Sequence, residues 1–330
     1  MDRIGPFPLF CSLRNSPLTS HQHHTDDPRI RHFIADVDVD TSAAKCVVAL
    51  VGVPQDIGVT RNRGRAGAYG GPDAIRSALY GMATSAVQGP LQEGSMAILD
   101  LGNIETRGKT LEQIHDEQHD IVLRCLRKGA IPIVLGGGHD VAWPTIRAFE
   151  SVQKPYAVVN IDAHADVRPL KDGKAHSGSP FRQMLEHEPS VLVKGGFTEF
   201  GLQHYAVAAS HLQTLQQAGM EVRMLPAIRS NDLHAVWDSV VSRTPPDVSL
   251  YVSLDMDAFS SAFAPGVSAP SADGFTPHEV AYCVEQAGAS GKLRAFDVVE
   301  MNPTYDVDGR TAKLAATMIM NVLKGLADSL

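Results

Sequence analysis

Six residues of types that commonly bind metal ions lie in three short segments of the chain. The segments are Gly136-Gly137-Gly138-His139-Asp140, Asp162-Ala163-His164-Ala165-Asp166 and Asp255-Met256-Asp257. Each one ends a run rich in Val, Ile and Leu, which is typical of a buried β-strand. The carboxyl ends of the strands in an open α/β sheet meet at one edge, where sites are built. The three segments therefore predict one polar site at that edge.

The spacing of the carboxylates indicates that they converge. Asp162, His164 and Asp166 alternate along the chain, so on an extended segment their side chains point to one face, and Asp255 and Asp257 do likewise. Two carboxylates about 4 Å apart repel by about 4 kcal/mol at an effective dielectric constant of about 20. Cations must compensate this repulsion. The pattern therefore predicts a centre for two metal ions, to which the histidine of the first segment also contributes.

The ligand types narrow the choice of metal and reaction. Imidazole and carboxylate groups without thiolate suit Mn²⁺, Fe²⁺, Co²⁺ or Zn²⁺, and the excess of carboxylates favours Mn²⁺. Two ions held about 3.5 to 4 Å apart lower the pKa of a bound water towards neutrality. We therefore expect a hydrolase whose nucleophile is an activated water, without a Ser, Cys or His nucleophile.

Composition excludes several other classes of function. The 330 residues carry a formal net charge of -8 with a pI near 5.9, and no run is rich in Lys and Arg, which argues against nucleic acid or an anionic membrane as partner. No apolar stretch approaches the roughly 20 residues of a spanning helix, and the N-terminus lacks the apolar core of a signal peptide. We expect a cytoplasmic protein that acts on a small molecule.

Strands and helices alternate from Lys45 onwards, as in right-handed βαβ units. Strands are predicted over residues 46–53, 96–101, 131–135, 156–161, 191–194, 222–225, 249–254 and 295–299, and helices over 71–79, 110–128, 142–152, 180–188, 231–241, 277–289 and 311–327. The predicted fold is a three-layer α-β-α domain of the α/β class with a mostly parallel sheet of about eight strands. It occupies residues 45–330, and residues 1–44 form an irregular N-terminal arm.

Other residues that could react or bind metals have a simpler interpretation. His115, His119 and His187 fall in predicted helices with polar neighbours, so we interpret them as surface residues. The four cysteines are scattered without Cys-x-x-Cys spacing and are interpreted as reduced thiols.

The three metal-binding segments resemble the ureohydrolase superfamily of arginases, agmatinases and formimidoylglutamases, over about residues 47–323. The resemblance implies an arginase-like fold, two Mn²⁺ per subunit and hydrolysis of a C–N bond at a guanidino or formimino carbon. It places one ion on His139, Asp162, Asp166 and Asp255, and the other on His164, Asp162, Asp255 and Asp257. Members of this family commonly form trimers or hexamers, so a homo-oligomer is expected.

The resemblance also implies roles for residues outside the ligand set. Glu300, in Val299-Glu300-Met301-Asn302-Pro303, matches the Glu-x-Asn-Pro motif whose carboxylate pairs with the cationic end of the substrate. Asp166 is expected to relay a proton to the leaving amine. Agmatinases have a proton-shuttle histidine where this chain has Ser177, so either the neighbouring His176 or solvent must complete the proton transfer.

Several motifs look most like those of formimidoylglutamases, which convert N-formimino-L-glutamate to L-glutamate and formamide in histidine degradation. They are Asp166-Val167-Arg168-Pro169, Ser177-Gly178-Ser179-Pro180-Phe181, Ser260-Ser261, Pro265-Gly266-Val267-Ser268-Ala269-Pro270 and Gly64-Arg65-Ala66-Gly67-Ala68. This substrate has a formimino cation and two carboxylates, and Arg suits bidentate capture of a carboxylate. Arg65 and Arg168 are therefore the candidate carboxylate ligands, with Ser177 and Gly178 beside them as substrate-binding residues.

Three alternatives remain open at this point. A guanidino hydrolase acting on arginine, agmatine or guanidinobutyrate would use the same metals and the same Glu300. A catalytically silent metal-binding protein could retain the fold. An amide hydrolase of the histone-deacetylase type would use one zinc ion with fewer Asp ligands, and the second Asp-x-Asp pair argues against it.

Overall fold

A ten-stranded sheet forms the centre of the computed structural model, which describes residues 13–14 and 26–330. Its strands in chain order are β1 (Leu13–Arg14), β2 (Ile34–Ala35), β3 (Cys46–Val53), β4 (Met96–Ile104), β5 (Ile131–Gly136), β6 (Tyr156–Ile161), β7 (Leu192–Leu202), β8 (Glu221–Met224), β9 (Ser249–Asp255) and β10 (Leu293–Val299). The spatial order is β1-β4-β3-β5-β10-β9-β6-β7-β8, and β2 also pairs with β4. Only β1 runs antiparallel to its neighbour. The predicted mostly parallel sheet is confirmed.

Helices connect the strands and cover the sheet. They are α1 (Ile57–Arg61), α2 (Gly71–Tyr80), α3 (Gln88–Gln92), α4 (Leu111–Arg127), α5 (Ala142–Val152), α6 (Pro180–Leu185), α7 (Ala209–Gln217), α8 (Leu225–Arg229), α9 (Leu233–Arg243), α10 (Pro277–Ala289) and α11 (Arg310–Asp328). Polar side chains cap the starts of two of the longer helices. Thr110 and Gln113 form a reciprocal capping box on α4, and Thr276 and Glu279 form another on α10.

The two faces of the sheet are buried in separate apolar layers. On β3, Val48 and Leu50 pack in the core beneath α2, α10 and α11, whereas Val47, Ala49 and Val51 pack in the core beneath α4 and α5. Neither face of a strand buried on both sides contacts solvent, which is why β3 is apolar throughout. The three-layer α-β-α architecture is therefore confirmed.

All eight predicted strands are present, and the differences occur where the sequence signal is short. β1 and β2 have only two residues each, and β7 extends eight residues beyond its predicted end at Lys194, across Gly195 and Gly196. Within the predicted arm, Ile30 is fully buried and residues 34–35 pair with β4. The boundary between arm and domain at residue 44 stays a prediction.

Two further sequence interpretations concern the described part of the chain. Cys46, Cys125 and Cys283 are free thiols, each buried, while Cys11 lies outside the described residues. Among residues 26–330, no helix has both the length and the apolar character needed to cross a membrane.

Candidate metal centre

Four adjacent strands at the middle of the sheet supply the residues of the site. His139 follows β5, Asp162 follows β6, Asp255 is the last residue of β9 and Glu300 follows β10. These strands are neighbours in the order β5-β10-β9-β6. All four side chains therefore emerge at the carboxyl edge of the sheet, as expected from their positions in the sequence.

Tight turns shape the segments that carry the ligands. The Asp162 Oδ1 atom accepts a hydrogen bond from the His164 backbone N–H at 2.7 Å, and Asp255 Oδ1 accepts one from the Asp257 N–H at 2.7 Å. Each aspartate thus closes a turn with the amide two residues later. The prediction that these segments are extended is therefore wrong. Turns, and not the alternation of an extended strand, bring the side chains together.

A close approach of two chain segments explains the glycines before His139. A Cβ atom on Gly137 would lie 2.1 Å from the Gln55 carbonyl oxygen, which belongs to the segment after β3. The Gly137 carbonyl also accepts a hydrogen bond from the Glu300 N–H at 2.8 Å. The absence of a side chain therefore lets this turn lie between the ends of β3 and β10.

The first group of ligand atoms surrounds the His139 ring. The His139 Nδ1 atom lies 3.2 Å from Asp162 Oδ2, 3.1 Å from Asp166 Oδ2 and 3.1 Å from Asp255 Oδ2. It makes no hydrogen bond to any described residue, although the histidine is fully buried. Ligand atoms about 2.1 Å from one ion and at right angles to one another lie about 3 Å apart. The spacing of these four residues fits a single bound cation.

A buried hydrogen-bond chain fixes the tautomer of this histidine. The Ser253 hydroxyl donates to Asp297 Oδ1 at 2.7 Å and therefore accepts from His139 Nε2, 2.9 Å away. The Tyr251 hydroxyl also donates to the Asp297 carboxylate. With its proton on Nε2, the ring directs the Nδ1 lone pair at the three carboxylates, which is the arrangement that a metal ligand requires.

The second group of ligand atoms shares one aspartate with the first. Asp162, His164 and Asp257 each offer an atom, and these atoms all lie within 4.8 Å of one another. The His164 Nδ1 atom lies 3.2 Å from Asp257 Oδ1 and 3.5 Å from Asp162 Oδ1. Asp162 is thus placed to bridge two ions. A similar bridging role for Asp255 stays a prediction, because this residue belongs to the first group only.

The charges of the cluster require compensation. Burial, with the neighbouring carboxylates, raises the pKa of Asp255 well above its usual value and that of Asp257 to about 6. Burial opposes the charged form of His139, but the carboxylates around it raise its pKa well above 6.5. Without metal ions, protons must neutralise these groups. The donor set therefore fits two divalent cations, which would displace the protons.

Glu300 lies at the same edge of the sheet, close to the ligands. Its Oε1 atom accepts the His139 N–H at 2.7 Å, whereas its Oε2 atom is buried and has no hydrogen-bond partner among the described residues. Burial raises the pKa of Glu300 to about 8. Such a carboxylate favours a cationic partner, because a positive charge stabilises its ionised form.

A cavity of about 220 Å³ opens above the two groups. The acidic floor of this cavity consists of His164, Asp166, Asp255, Asp257 and Glu300. Its polar rim consists of Asn62, Arg63, Arg65, Arg168 and Ser177. The floor and the rim carry opposite charges within one cavity, which suits a ligand with a cation at one end and anions at the other.

The rim arginines differ in how firmly they are held. The Arg65 guanidinium lies 3.9 Å above the centre of the Tyr305 ring and donates to the Val267 carbonyl at 2.6 Å, while its buried Nε has no partner among the described residues. Arg168 donates to Asn62 Oδ1 at 2.8 Å. Arg63 is exposed. Stacking and hydrogen bonds thus preorganise two of the three cations.

Two residues predicted to act in proton transfer or substrate binding, His176 and Gly178, do not line the cavity. His176 is buried; its Nδ1 accepts the Gly178 N–H at 3.2 Å, and its Nε2 donates to the Pro169 carbonyl at 3.1 Å. Both ring nitrogens are therefore occupied by the backbone of their own loop. The structure gives His176 no place in proton transfer at the cavity, and Gly178 serves to pack this loop. Ser177, between them, does face the cavity.

Backbone strain is concentrated at the site. Six non-glycine residues of the described chain have a positive φ, and three of them line the cavity: Arg63 at 68°, Asp166 at 45° and Glu300 at 63°. Such conformations cost about 1 to 3 kcal/mol each and persist only where the surroundings impose them. Here they turn a carboxylate or a guanidinium into the cavity.

Sequence reasoning missed Asn62, Arg63, Ser253 and Asp297. Ser253 and Asp297 carried a readable signal, because each is a polar residue inside a predicted apolar strand; in the structure each lies two positions before the end of its strand. A buried polar residue needs a partner, and here the partner is a metal-ligand histidine. Asn62 and Arg63 lie just after a five-residue helix and carry no such signal.

The interpretation of His115 as a surface residue is wrong. Its ring is 4% exposed, and its Nε2 lies 2.8 Å from Asp140 Oδ2, which also accepts from the Gln55 side chain at 2.8 Å. Gln55 in turn accepts the Ile57 N–H at 2.9 Å. This buried network ties the turn of His139 to the start of α1, and polar neighbours along a helix did not indicate it.

Comparison with known proteins places this site in a family. The arginase family model matches residues 46–324, and the chain therefore belongs to the arginase family. Among curated relatives, the chain is 36% identical to a formimidoylglutamase of Ralstonia nicotianae, with 85% of each chain covered. It is 34% identical to a formimidoylglutamase of Rhodococcus opacus, with 93% of this chain and 94% of that protein covered.

Solved structures give the same picture. A Trypanosoma cruzi formiminoglutamase solved with Mn²⁺ superposes with a TM-score of 0.82 at 31% identity, covering 92% of this chain and 99% of that one. A Bacillus subtilis formimidoylglutamase superposes with a TM-score of 0.83 over 96% of both chains, and its 24% identity bears on the fold alone. The predicted arginase-like fold and the resemblance to formimidoylglutamases are confirmed.

Proposed function

We propose that the protein hydrolyses the formimino C–N bond of N-formimino-L-glutamate and releases L-glutamate and formamide. The single observation that carries this proposal is the cavity with its acidic floor and its rim of three arginines. The similarity to formimidoylglutamases over most of the chain supports it. The substrate class matches in charge, because the formimino group is a cation and the glutamate part bears two carboxylates.

The floor would bind the formimino end. Glu300 presents a buried carboxylate oxygen without a partner among the described residues, and a protonated amidine can donate a charge-assisted hydrogen bond to it. This contact keeps the amidine protonated and its carbon electrophilic. The His139 N–H holds the other oxygen of Glu300, so the orientation of the carboxylate is set before substrate arrives.

The rim would bind the glutamate end. Arg65 and Arg168 are the two arginines that neighbouring groups hold in place, and each retains N–H groups for a carboxylate. A guanidine such as agmatine has a second cation and no carboxylate. The same three arginines would repel it, which is why we favour the formimino substrate over a guanidine.

Two Mn²⁺ ions would be held by His139, Asp162, Asp166 and Asp255 and by His164, Asp162 and Asp257. When bound, they would activate a water molecule and stabilise negative charge at the reacting carbon. Asp166 lies in the floor and in the first ligand group, so its carboxylate can take the proton of the attacking water. As the C–N bond to the glutamate nitrogen breaks, Asp166 would return that proton to the nitrogen. Solvent, and not His176, would complete the proton transfer.

The oligomeric state and the cellular location stay predictions from the sequence. We propose a homo-oligomer that acts in the cytoplasm. Light scattering of the purified protein and fractionation of cells measure the two properties directly.

A substrate panel tests the proposed activity. Manganese-loaded protein is incubated with N-formimino-L-glutamate and glutamate is measured, in parallel with arginine, agmatine and guanidinobutyrate, for which urea is measured. We expect glutamate release from the first compound and no urea from the others. Release of urea from a guanidine, with no glutamate from N-formimino-L-glutamate, would show that the protein is a metal hydrolase but that its substrate is a guanidine. Metal binding without turnover of any compound would identify a silent metal-binding protein.

A further inference from the structure

One amide side chain joins two groups of the cavity rim. The Asn62 side chain lies between Arg168 and Ser177, which stand at two places on the loop that joins β6 to α6. Its Oδ1 atom is 2.8 Å from Arg168 Nη1, and its Nδ2 atom is 3.1 Å from Ser177 Oγ. Asn62, Arg168 and Ser177 all line the cavity. Sequence reasoning gave Asn62 no role, and the reaction described above does not use it.

Elementary hydrogen-bond chemistry fixes the direction of each contact. A guanidinium can only donate, so the oxygen of the Asn62 amide must face Arg168. The amide nitrogen then faces Ser177 and donates to its hydroxyl oxygen. No described residue accepts the Ser177 hydroxyl proton, so this proton is free to point into the cavity. Asn62 thus makes Ser177 a donor towards the ligand, alongside the guanidinium.

The surroundings hold Asn62 in this position. It caps the end of α1, and its backbone N–H donates to the Gly58 carbonyl, which also accepts the Ser177 N–H at 3.2 Å. A Cβ atom on Gly178 would lie 2.9 Å from both Asn62 Nδ2 and Arg168 Cδ. Glycine at position 178 therefore allows this part of the loop to lie close enough to Asn62 and Arg168 for Asn62 to bridge Arg168 and Ser177.

We propose that Asn62 is a positioning residue that sets Arg168 and Ser177 as a paired donor site for one carboxylate of the substrate. The proposal rests on the proposed function and assigns one of its carboxylates to a defined pair of side chains. A guanidinium and a hydroxyl together supply several N–H and O–H donors to one anion, and charge-assisted bonds of this kind are stronger than neutral ones. Arg65, stacked on Tyr305, is left for the other carboxylate.

The first test changes the direction of the hydroxyl. Asn62→Asp keeps an oxygen for Arg168 but replaces the donor to Ser177 by an acceptor, which draws the Ser177 proton away from the cavity. We expect KM for N-formimino-L-glutamate to rise about tenfold or more, because a hydrogen bond to a charged carboxylate is lost. The kcat should stay within about twofold of that of the unmodified protein. Thr60→Asp is the matched control, because it adds the same charge at an exposed position of α1 that does not line the cavity. It should leave KM unchanged.

A double variant separates this role from a structural one. Because Asn62→Asp already removes the contribution of Ser177, adding Ser177→Ala should raise KM no further than about twofold. Metal content and melting temperature are measured for every variant, so that a folding defect is recognised. Asn62→Ser is the second variant, for use if Asn62→Asp unfolds. Because its hydroxyl can still donate a hydrogen bond, it should retain part of the affinity for the substrate.

Substrate analogues test the assignment to a single carboxylate. N-formimino-4-aminobutyrate lacks the α-carboxylate, and N-formimino-L-2-aminobutyrate lacks the side-chain carboxylate. The KM increase caused by Asn62→Asp should disappear with one analogue and persist with the other. Equal increases for all three compounds, or an effect on kcat alone, would overturn the proposal while leaving the activity intact. Failure of the unmodified protein to release glutamate would instead overturn the proposed function, and the positioning role with it.

Discussion

The floor and the rim of the cavity are positioned in different ways. The floor residues stand at or just after the ends of adjacent parallel strands, where the backbone ladder of the sheet sets their spacing. The rim residues lie on loops, where side chains such as Asn62 and Tyr305 hold the arginines. Regular structure therefore holds the groups assigned to chemistry, and contacts between side chains hold the groups assigned to selection. The two regions should respond differently to substitution.

The largest effect is expected at the aspartate shared by both ligand groups. Asp162→Asn removes a charge that both ions would use, and the charge stabilisation that a metal supplies is worth several kcal/mol. We expect metal content to fall and kcat to drop about 1,000-fold or more. Elemental analysis and steady-state kinetics measure the two together. Asp172→Asn, at an exposed position of the loop after β6, is the control and should change neither.

Substitution of Glu300 tests the substrate side of the floor. Glu300→Gln keeps an oxygen for the His139 N–H but loses the negative charge opposite the formimino cation. A hydrogen bond to a charged group contributes about 1.5 to 3 kcal/mol, so kcat/KM should fall about 10- to 100-fold. The metal content should stay at the level of the unmodified protein. Loss of metal in this variant would contradict the separate role given to Glu300.

The chain behind His139 tests whether the floor depends on buried support. Ser253→Ala removes the acceptor of the His139 Nε2 proton and leaves Asp297 with one donor fewer. Loss of such a supporting contact typically lowers metal affinity about 10- to 100-fold. Competition with a chelator measures the affinity. Ser151→Ala, at an exposed serine that contacts another histidine, is the control and should retain the affinity. Unchanged metal affinity in Ser253→Ala would show that these buried hydrogen bonds do not support the metal ligand His139.

Metal binding should weaken at low pH. Burial raises the pKa of Asp257 to about 6, and the pKa values of Asp255 and His139 are raised well above their usual values. Below pH 6 the metal-free protein therefore holds a proton on Asp257 that a metal must displace, and affinity falls about tenfold per pH unit for each such proton. Calorimetry in buffers of different ionisation enthalpy measures the proton release. Mn²⁺ binding without proton release at pH 6 would contradict these charge states.

The smallest effects are expected at the rim, where two arginines can be compared. Arg168→Met should raise KM about tenfold with little change in kcat, because the guanidinium contributes to binding rather than to the reaction. Arg63→Met, at the exposed arginine, should raise KM only about twofold, since exposed charges are screened by solvent. A large fall in kcat for Arg168→Met would place this residue in the reaction and weaken the contrast between rim and floor.

Much of the floor could be predicted from sequence because apolar runs identify the strands and the ligands follow the run ends. Asp255 and Asp257 are examples, although the turn that directs them was not predicted. The rim could be predicted only in part. Ser177 and His176 are adjacent on one loop, and only the folded loop shows that Ser177 faces the cavity while His176 bonds to backbone. Side-chain direction in a loop depends on distant contacts, which a single sequence does not specify.

Metal titration of the chelator-treated protein shows whether hydrolysis requires two bound ions. Mn²⁺ is added stepwise, and glutamate release from N-formimino-L-glutamate is measured beside the bound metal. We predict that activity rises until two equivalents are bound per chain and then stays constant. Full activity at one equivalent, or no glutamate release at any loading, would contradict it.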